Sequence, residues 1–174
     1  MNTLNGVALV NEGIITGPIA DENVQQHGVD LNLIKVEAML GSGIIPKDGK
    51  TQLVAYEEMP LLFTYGKESE SKKTDYWLLK PGTYSVTFEQ GCKIPFDKML
   101  LIRQRSSLLR NGTILHSSVF DAGFETDNIG TVICVTVPIQ IEYGARIAQI
   151  YGHHCTEVTN LYDGQFQKDK QRQD

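Results

Sequence analysis

Four short stretches of this chain set acids, cations and hydroxyls beside turn residues, a combination that scaffolding alone does not require. In HGVDL (27–31), Asp30 stands two residues after Gly28 at the start of an apolar run. In RSSLLRNG (105–112), Arg105, Ser106, Ser107 and Arg110 surround the first turn of a short helical pattern. Free backbone N–H groups, hydroxyls and guanidinium groups together make a seat for phosphate. In DAGF (121–124), Asp121 occupies a tight turn directly after the stretch 114–120. A carboxylate that is ionised at neutral pH can take a proton from water. In GARIAQ (144–149), a turn glycine leads into a strand bearing Arg146 and Gln149. Each stretch taken singly also has a plainer reading, as a helix cap or a common turn.

The elements that must position these groups are mostly strands. At 174 residues, 41% hydrophobic and 21% charged, the chain suits one domain with a real core. Residues 4–12 suit a short helix stopped by Gly13. Strand patterns then occupy 13–15, 29–36, 76–79, 83–89, 99–103, 113–120, 131–137 and 146–151, rich in Val, Ile, Thr and Tyr. Turn signals roughly ten residues apart are what a sandwich or barrel of short strands produces. A second short helix is expected at 106–110, and Trp77 is expected in the core. Residues 66–74 (GKESESKKT) read as a solvated loop. Residues 167–174 (QKDKQRQD) read either as a frayed end or as an arm that orders over something bound.

Composition also excludes several classes. The net charge is −5, so no global positive field would draw DNA or anionic lipid. A polyanionic substrate must be met by local Arg and Lys, helped by a divalent cation. Cys92, Cys134 and Cys155 are odd in number and widely spaced, neither a disulfide framework nor a zinc spacing. The adjacent His153, His154 and Cys155 would point to alternate faces of a strand and cannot easily share one ion. There is no apolar run of membrane-spanning length and no basic-then-apolar leader pattern. A cytoplasmic location, without nucleic-acid or membrane partners, is therefore expected.

Together, residues 26–33, 105–112, 116–124 and 144–149 resemble, in order and spacing, the first four motifs of the dUTPase/dCTP deaminase family. The resemblance extends to KPGTY (80–84), TFE (87–89) and YDGQFQ (162–167), and is weakest over 41–74. It implies an all-β fold, a distorted jelly-roll β-barrel with little helix, formed by residues 1–174 as a single domain. It also implies a homotrimer with sites at subunit interfaces. The first, second and fourth motifs of a site would come from one subunit and the third from a neighbour. Residues 167–174 would be either an arm from the third subunit or a disordered tail.

By the same resemblance, Asp121 is the base that activates water at the α-phosphate of a deoxyuridine triphosphate, and Asp30 holds Mg²⁺ through water. Arg105, Ser106 and Gln149 would contact phosphates, with Ser107 and Arg110 in the same motif, while Arg146 contacts substrate or buttresses the site. The backbone of 113–119 would face the pyrimidine, and His116 would contact base or sugar or make a structural hydrogen bond. Phe124 would pack on deoxyribose and exclude a 2′-hydroxyl, and Phe166 of the C-terminal segment would also contact substrate. The family's deaminase branch needs a glutamate on the following strand. Aligning Gly130 with the glycine that opens that strand puts Val135 there, and valine cannot shuttle protons. This favours dUTP hydrolysis. An apparent insertion at 125–129 and a deaminase-like C-terminal segment leave dCTP deamination, alone or beside hydrolysis, as the alternative. A relative that binds nucleotide without turnover is the third reading. The glycine-rich fifth motif of ordinary dUTPases is missing, and Lys168, Lys170 and Arg172 are either its replacement at the γ-phosphate or solvated charges.

Overall fold

Alternation of apolar and polar side chains fixes which face of each strand turns inward. Along Gly82–Phe88 the buried positions are Tyr84, Val86 and Phe88, and along Lys98–Gln104 they include Leu100 and Ile102. The structure, a computed structural model, describes residues 3–65, 73–156, 158 and 160–168. Its main sheet runs Thr113–Leu115, Gly130–Val135, Gly82–Phe88, Gly28–Leu40, Arg146–His154, Lys98–Gln104 and Val119–Phe120. Every neighbouring pair is antiparallel.

The two end strands of that path are separated in the chain only by His116, Ser117 and Ser118. The sheet must therefore curl until its ends meet, which closes it into a barrel. Both ends hold the corner. The His116 N–H donates to the Val132 carbonyl at 2.9 Å, while Ser117 Oγ donates to the Ile102 carbonyl at 3.0 Å. The run 113–120, expected as one strand segment, is thus two strands at opposite ends of one curled sheet. The polar His-Ser-Ser triplet turns the corner between them.

Inside the barrel Leu31, Leu33, Val86, Phe88, Leu100, Ile102, Ile133 and Ile150 are fully buried. Trp77 is also buried, with its indole N–H donating to the Met59 carbonyl at 3.3 Å. Among the described residues two short α-helices accompany the strands. Gly6–Asn11 is capped by Asn5, whose side chain accepts from the Ala8 N–H, and Gly13 follows its end at φ +66°. It is shorter than the expected 4–12, because Thr3–Leu4 instead pairs with His153 and Gly152. The second helix is Ser106–Arg110.

Smaller sheets join Leu62–Tyr65, Lys73–Leu79 and Ile139–Glu142, and Ile15–Thr16, Gly91–Lys93 and Glu125–Thr126. Of the polar stretch 66–74, residues 66–72 lie outside the described residues, and Lys73 and Thr74 begin a strand. Among the described residues no helix is long and apolar enough to cross a membrane.

Candidate active site

Asp30 lies near the start of the long strand Gly28–Leu40, where Gly28 sits too close to the Ile150 backbone to leave room for a side chain. A buried amide network fixes this part of the strand. Asn23 Nδ2 donates to the Asp30 carbonyl at 2.7 Å, and Asn32 Nδ2 donates to the Gly144 carbonyl at 2.8 Å. Gln90, fully buried, accepts from the Asn32 N–H at 2.8 Å and donates to the Pro18 carbonyl at 2.7 Å. Buried amides satisfied in this way are rigid, because moving any one orphans its partners.

The Asp30 side chain is only 1% exposed. Arg105 Nε stands 3.3 Å and Arg146 Nη1 3.8 Å from its Oδ2, and Gln149 Nε2 donates to its Oδ1 at 3.3 Å. Burial pushes the Asp30 carboxyl above its ordinary range, and the two guanidinium groups and Gln149 pull against that. Oδ2 is ion-paired but has no hydrogen-bond partner among the described residues. Asp30, Arg105, Ser106 and Gln149 line one polar cleft of about 240 Å³, together with Gln25 and Gln104. Arg146 does not line it. Its guanidinium contacts Asp30 and the Glu22 carbonyl, and its own carbonyl accepts from Arg105 Nη1 at 3.1 Å.

Asp121 opens the turn after Val119–Phe120, and its carbonyl accepts from the Phe124 N–H at 3.1 Å. Gly123 adopts φ +86°, a conformation that side chains rarely take. The turn borders a second cavity, of about 470 Å³, lined by Asp121, Phe124, Ser118, Thr131, Tyr162 and Phe166 among others. Phe124 is mostly buried and meets Tyr162 edge to face at 5.3 Å and Phe120 at 5.7 Å.

The two cavities share no lining residue. Phe120 pairs with Leu100, and the chain runs from Leu100 to Arg105 before it reaches the cleft. At strand rise that separates the Asp121 turn from Arg105 by roughly 16 Å. One chain therefore carries a cationic cleft and a separate carboxylate-edged pocket.

Other predicted positions lie outside both cavities. Ser107 and Arg110 are exposed on the outer side of their helix, and the Ser107 carbonyl accepts from Asn111 Nδ2. The His116 ring approaches Cys134 Sγ at 3.2 Å rather than the pocket. Val135 is buried and pairs with Thr113 and Gly82. His153 meets Thr3, and His154 meets Asp97. Lys168 pairs with Glu125 and Asp127, while Lys170 and Arg172 lie outside the described residues.

Sequence reasoning missed Gln25, Gln104, Thr131 and Tyr162 as cavity residues. Only Gln104, next to Arg105, and Tyr162, heading the C-terminal motif, carried any signal of it. Neither did it find that residues 160–168 pack on their own chain, with the Tyr162 N–H donating to the Ala122 carbonyl at 2.9 Å.

Comparison with known proteins places this barrel in a family. Residues 6–153 match the model of the family described as dCTP deaminase-like. A probable deoxyuridine 5′-triphosphate nucleotidohydrolase of Halobacterium salinarum is 34% identical over 156 residues, covering 88% of each chain. A protein of Methanocaldococcus jannaschii named deoxyuridine 5′-triphosphate nucleotidohydrolase is 34% identical over 147 residues, covering 84% of this chain and 88% of that one. A dCTP deaminase of Acidianus ambivalens is 28% identical over 160 residues. In fold, the chain superposes on the 2′-deoxycytidine 5′-triphosphate deaminase of Agrobacterium tumefaciens with a TM-score of 0.63 at 18% identity. That match covers 87% of this chain and about half of the other, 48%. The chain belongs to the dCTP deaminase-like family, whose curated relatives include both dUTP nucleotidohydrolases and dCTP deaminases.

Proposed function

We propose that this protein is a dUTP pyrophosphatase that cleaves dUTP to dUMP and pyrophosphate, with sites built between the chains of a homotrimer. The observation that carries the reading is Asp121, an exposed carboxylate on the rim of a nucleoside-sized pocket, with no acid at 135. The relatives at 34% identity that are named for dUTP hydrolysis support it.

In this reading the pyrimidine lies against the backbone of the 113–119 corner. Phe124 packs under the deoxyribose, where a 2′-hydroxyl finds no space. Asp121 takes a proton from water as the water oxygen attacks the α-phosphorus. The bond from that phosphorus to the bridging oxygen breaks, and pyrophosphate leaves with the bonding electrons. Arg105, Ser106 and Gln149 of a neighbouring chain hold the departing phosphates, because a general base works only within hydrogen-bond reach and the Asp121 turn stands too far from its own chain's cleft. Exposed Leu109, Ile114, Val119 and Val137 offer apolar surface near the barrel corner for that contact.

Asp30 suits a water-mediated hold on Mg²⁺. Its Oδ2 has no hydrogen-bond partner among the described residues, and two guanidinium groups already offset its charge, which disfavours direct ligation. Bound there, Mg²⁺ would neutralise phosphate charge as the leaving group departs.

Deamination of dCTP would need an acid/base group on the strand after the Asp121 turn, and Val135 is buried there among sheet neighbours. Product analysis with dUTP and with dCTP, each with Mg²⁺, tests the reading. The expected outcome is dUMP and pyrophosphate from dUTP and no ammonia from dCTP. Asp121→Asn should fold and bind but lose at least ~10² in turnover. Ammonia release from dCTP in proportion to protein would establish the deaminase reading instead. Binding without any product would make the chain a nucleotide-binding relative.

A further inference from the structure

The C-terminal segment meets the Asp121 turn through a two-pronged contact. Gln167 Oε1 accepts from the Glu125 N–H at 2.9 Å, and Gln167 Nε2 donates to the Gly123 carbonyl at 2.8 Å. One carboxamide thus spans the turn that carries Phe124, with donor and acceptor each matched. The backbone seam beside it, from the Tyr162 N–H to the Ala122 carbonyl, extends the same contact. Gly123 makes the approach feasible, since a Cβ there would lie 2.6 Å from the Leu161 Cβ. Tyr162 and Phe166 then form one wall of the pocket, and the rings of Tyr162 and Phe124 meet edge to face.

We propose that residues 160–168 form a strap belonging to the chain's own half-site, in which Gln167 is a positioning residue that locks the Asp121–Glu125 turn through protein contacts alone, with or without nucleotide. Both partners of Gln167 are backbone groups of the turn, so the contact requires nothing from a ligand. The Glu125 N–H faces away from its ladder partner strand, so Gln167 supplies its acceptor. Without that side chain the turn loses one restraint on each side of Phe124, and the backbone that carries Asp121 is held less firmly. Lys168 adds ion pairs to Glu125 and Asp127, but pairs this close to solvent hold little on their own. The catalytic part of the proposal rests on Asp121 being the base, whereas the strap itself does not.

The test uses the full chain without ligand and compares wild type, Gln167→Ala and Gln167→Met. Methionine keeps the length and bulk of glutamine but can make neither hydrogen bond. Amide exchange resolved at Glu125 should speed up by roughly tenfold or more in both variants, with global unfolding unchanged. Turnover of dUTP should fall by roughly ten- to a hundredfold, chiefly in kcat, because the base is held less firmly while the phosphate contacts remain. Unchanged exchange at Glu125 in the unliganded variants overturns the strap, whatever happens to activity. A Gln167→Met variant with normal exchange and normal kcat would show that Gln167 only fills space, and also overturns it. Faster exchange in a protein that turns over no dUTP would uphold the strap and remove the hydrolase reading alone.

Discussion

Gln90 offers a direct measure of what holds the cationic cleft in shape. Its side chain is fully buried and joins three segments, accepting from the Asn32 N–H and donating to the Pro18 carbonyl and to Asn32 Oδ1. Gln90→Leu keeps much of the volume but leaves the Asn32 N–H and the Pro18 carbonyl without these partners. Asn32 Oδ1 still accepts from Asn23. Each buried group left unmatched costs about 1–3 kcal/mol, and the added apolar burial returns part of that, so a net loss of about 3 kcal/mol is expected. For a chain of this length that corresponds to a fall in Tm of roughly 6–12 °C, read by calorimetry or thermal circular dichroism. Because Asn32 is two residues from Asp30, phosphate affinity should fall in parallel. A melting temperature within about 2 °C of wild type would refute the argument, since the amides would then not be what fixes the strand.

Asp30→Asn should melt at or above wild type at pH 7–8 while losing its Mg²⁺ response. The folded pKa of Asp30 is raised, so the stability this group contributes is present below the ordinary value of 3.8 and is lost as pH rises through the folded value. The gap between variant and wild type should therefore close on acidification through that window, and a gap that widens would be contrary to the assigned direction. Burial pushes the Cys92 thiol up to about 12, so at pH 8 it should resist alkylation in the native protein and react on unfolding. Mass spectrometry showing Cys92 labelled as fast as the half-buried Cys155 would contradict this.

Strands with strict alternation were legible in the sequence. Tyr84, Val86 and Phe88 announce an inward face, as do Leu100 and Ile102, and the structure buries all five. Ala55–Glu58 was not legible, because all four residues are exposed on an edge and no alternation is needed there. The barrel corner at His116–Ser118 was invisible because it depends on which distant strands the flanking residues join. For the site, residue types pointed to Asp30, Arg105, Ser106, Gln149 and Asp121, since each carries a charge or polar group beside a turn. Gln25 and Gln167 were not singled out, because a glutamine in a polar stretch looks alike whether it is solvated or paired with backbone. The docking of residues 160–168 in cis was hidden for the same reason.

The roughly 16 Å between the Asp121 turn and Arg105 leads to the sharpest consequence of the fold, worked from the strand rise between them. If each site takes its phosphate cleft from one chain and its base from another, two inactive variants can repair each other. Arg105→Ala destroys the cleft of its own chain but keeps a sound Asp121, and Asp121→Asn does the reverse. In a closed ring assembled at random from equal amounts, a site works only when an intact cleft from one variant faces an intact base from the other. That happens for about one site in four, so the mixture should regain roughly a quarter of wild-type activity after unfolding and co-refolding. Each variant refolded alone should stay inactive, and mixing without subunit exchange should leave the activity where it was. If a single chain built the whole site, every subunit would carry one lesion in its own site and no mixture would recover. Recovery near zero, with mixed oligomers verified by mass, would therefore eliminate the shared site and require the two half-sites of one chain to close on each other.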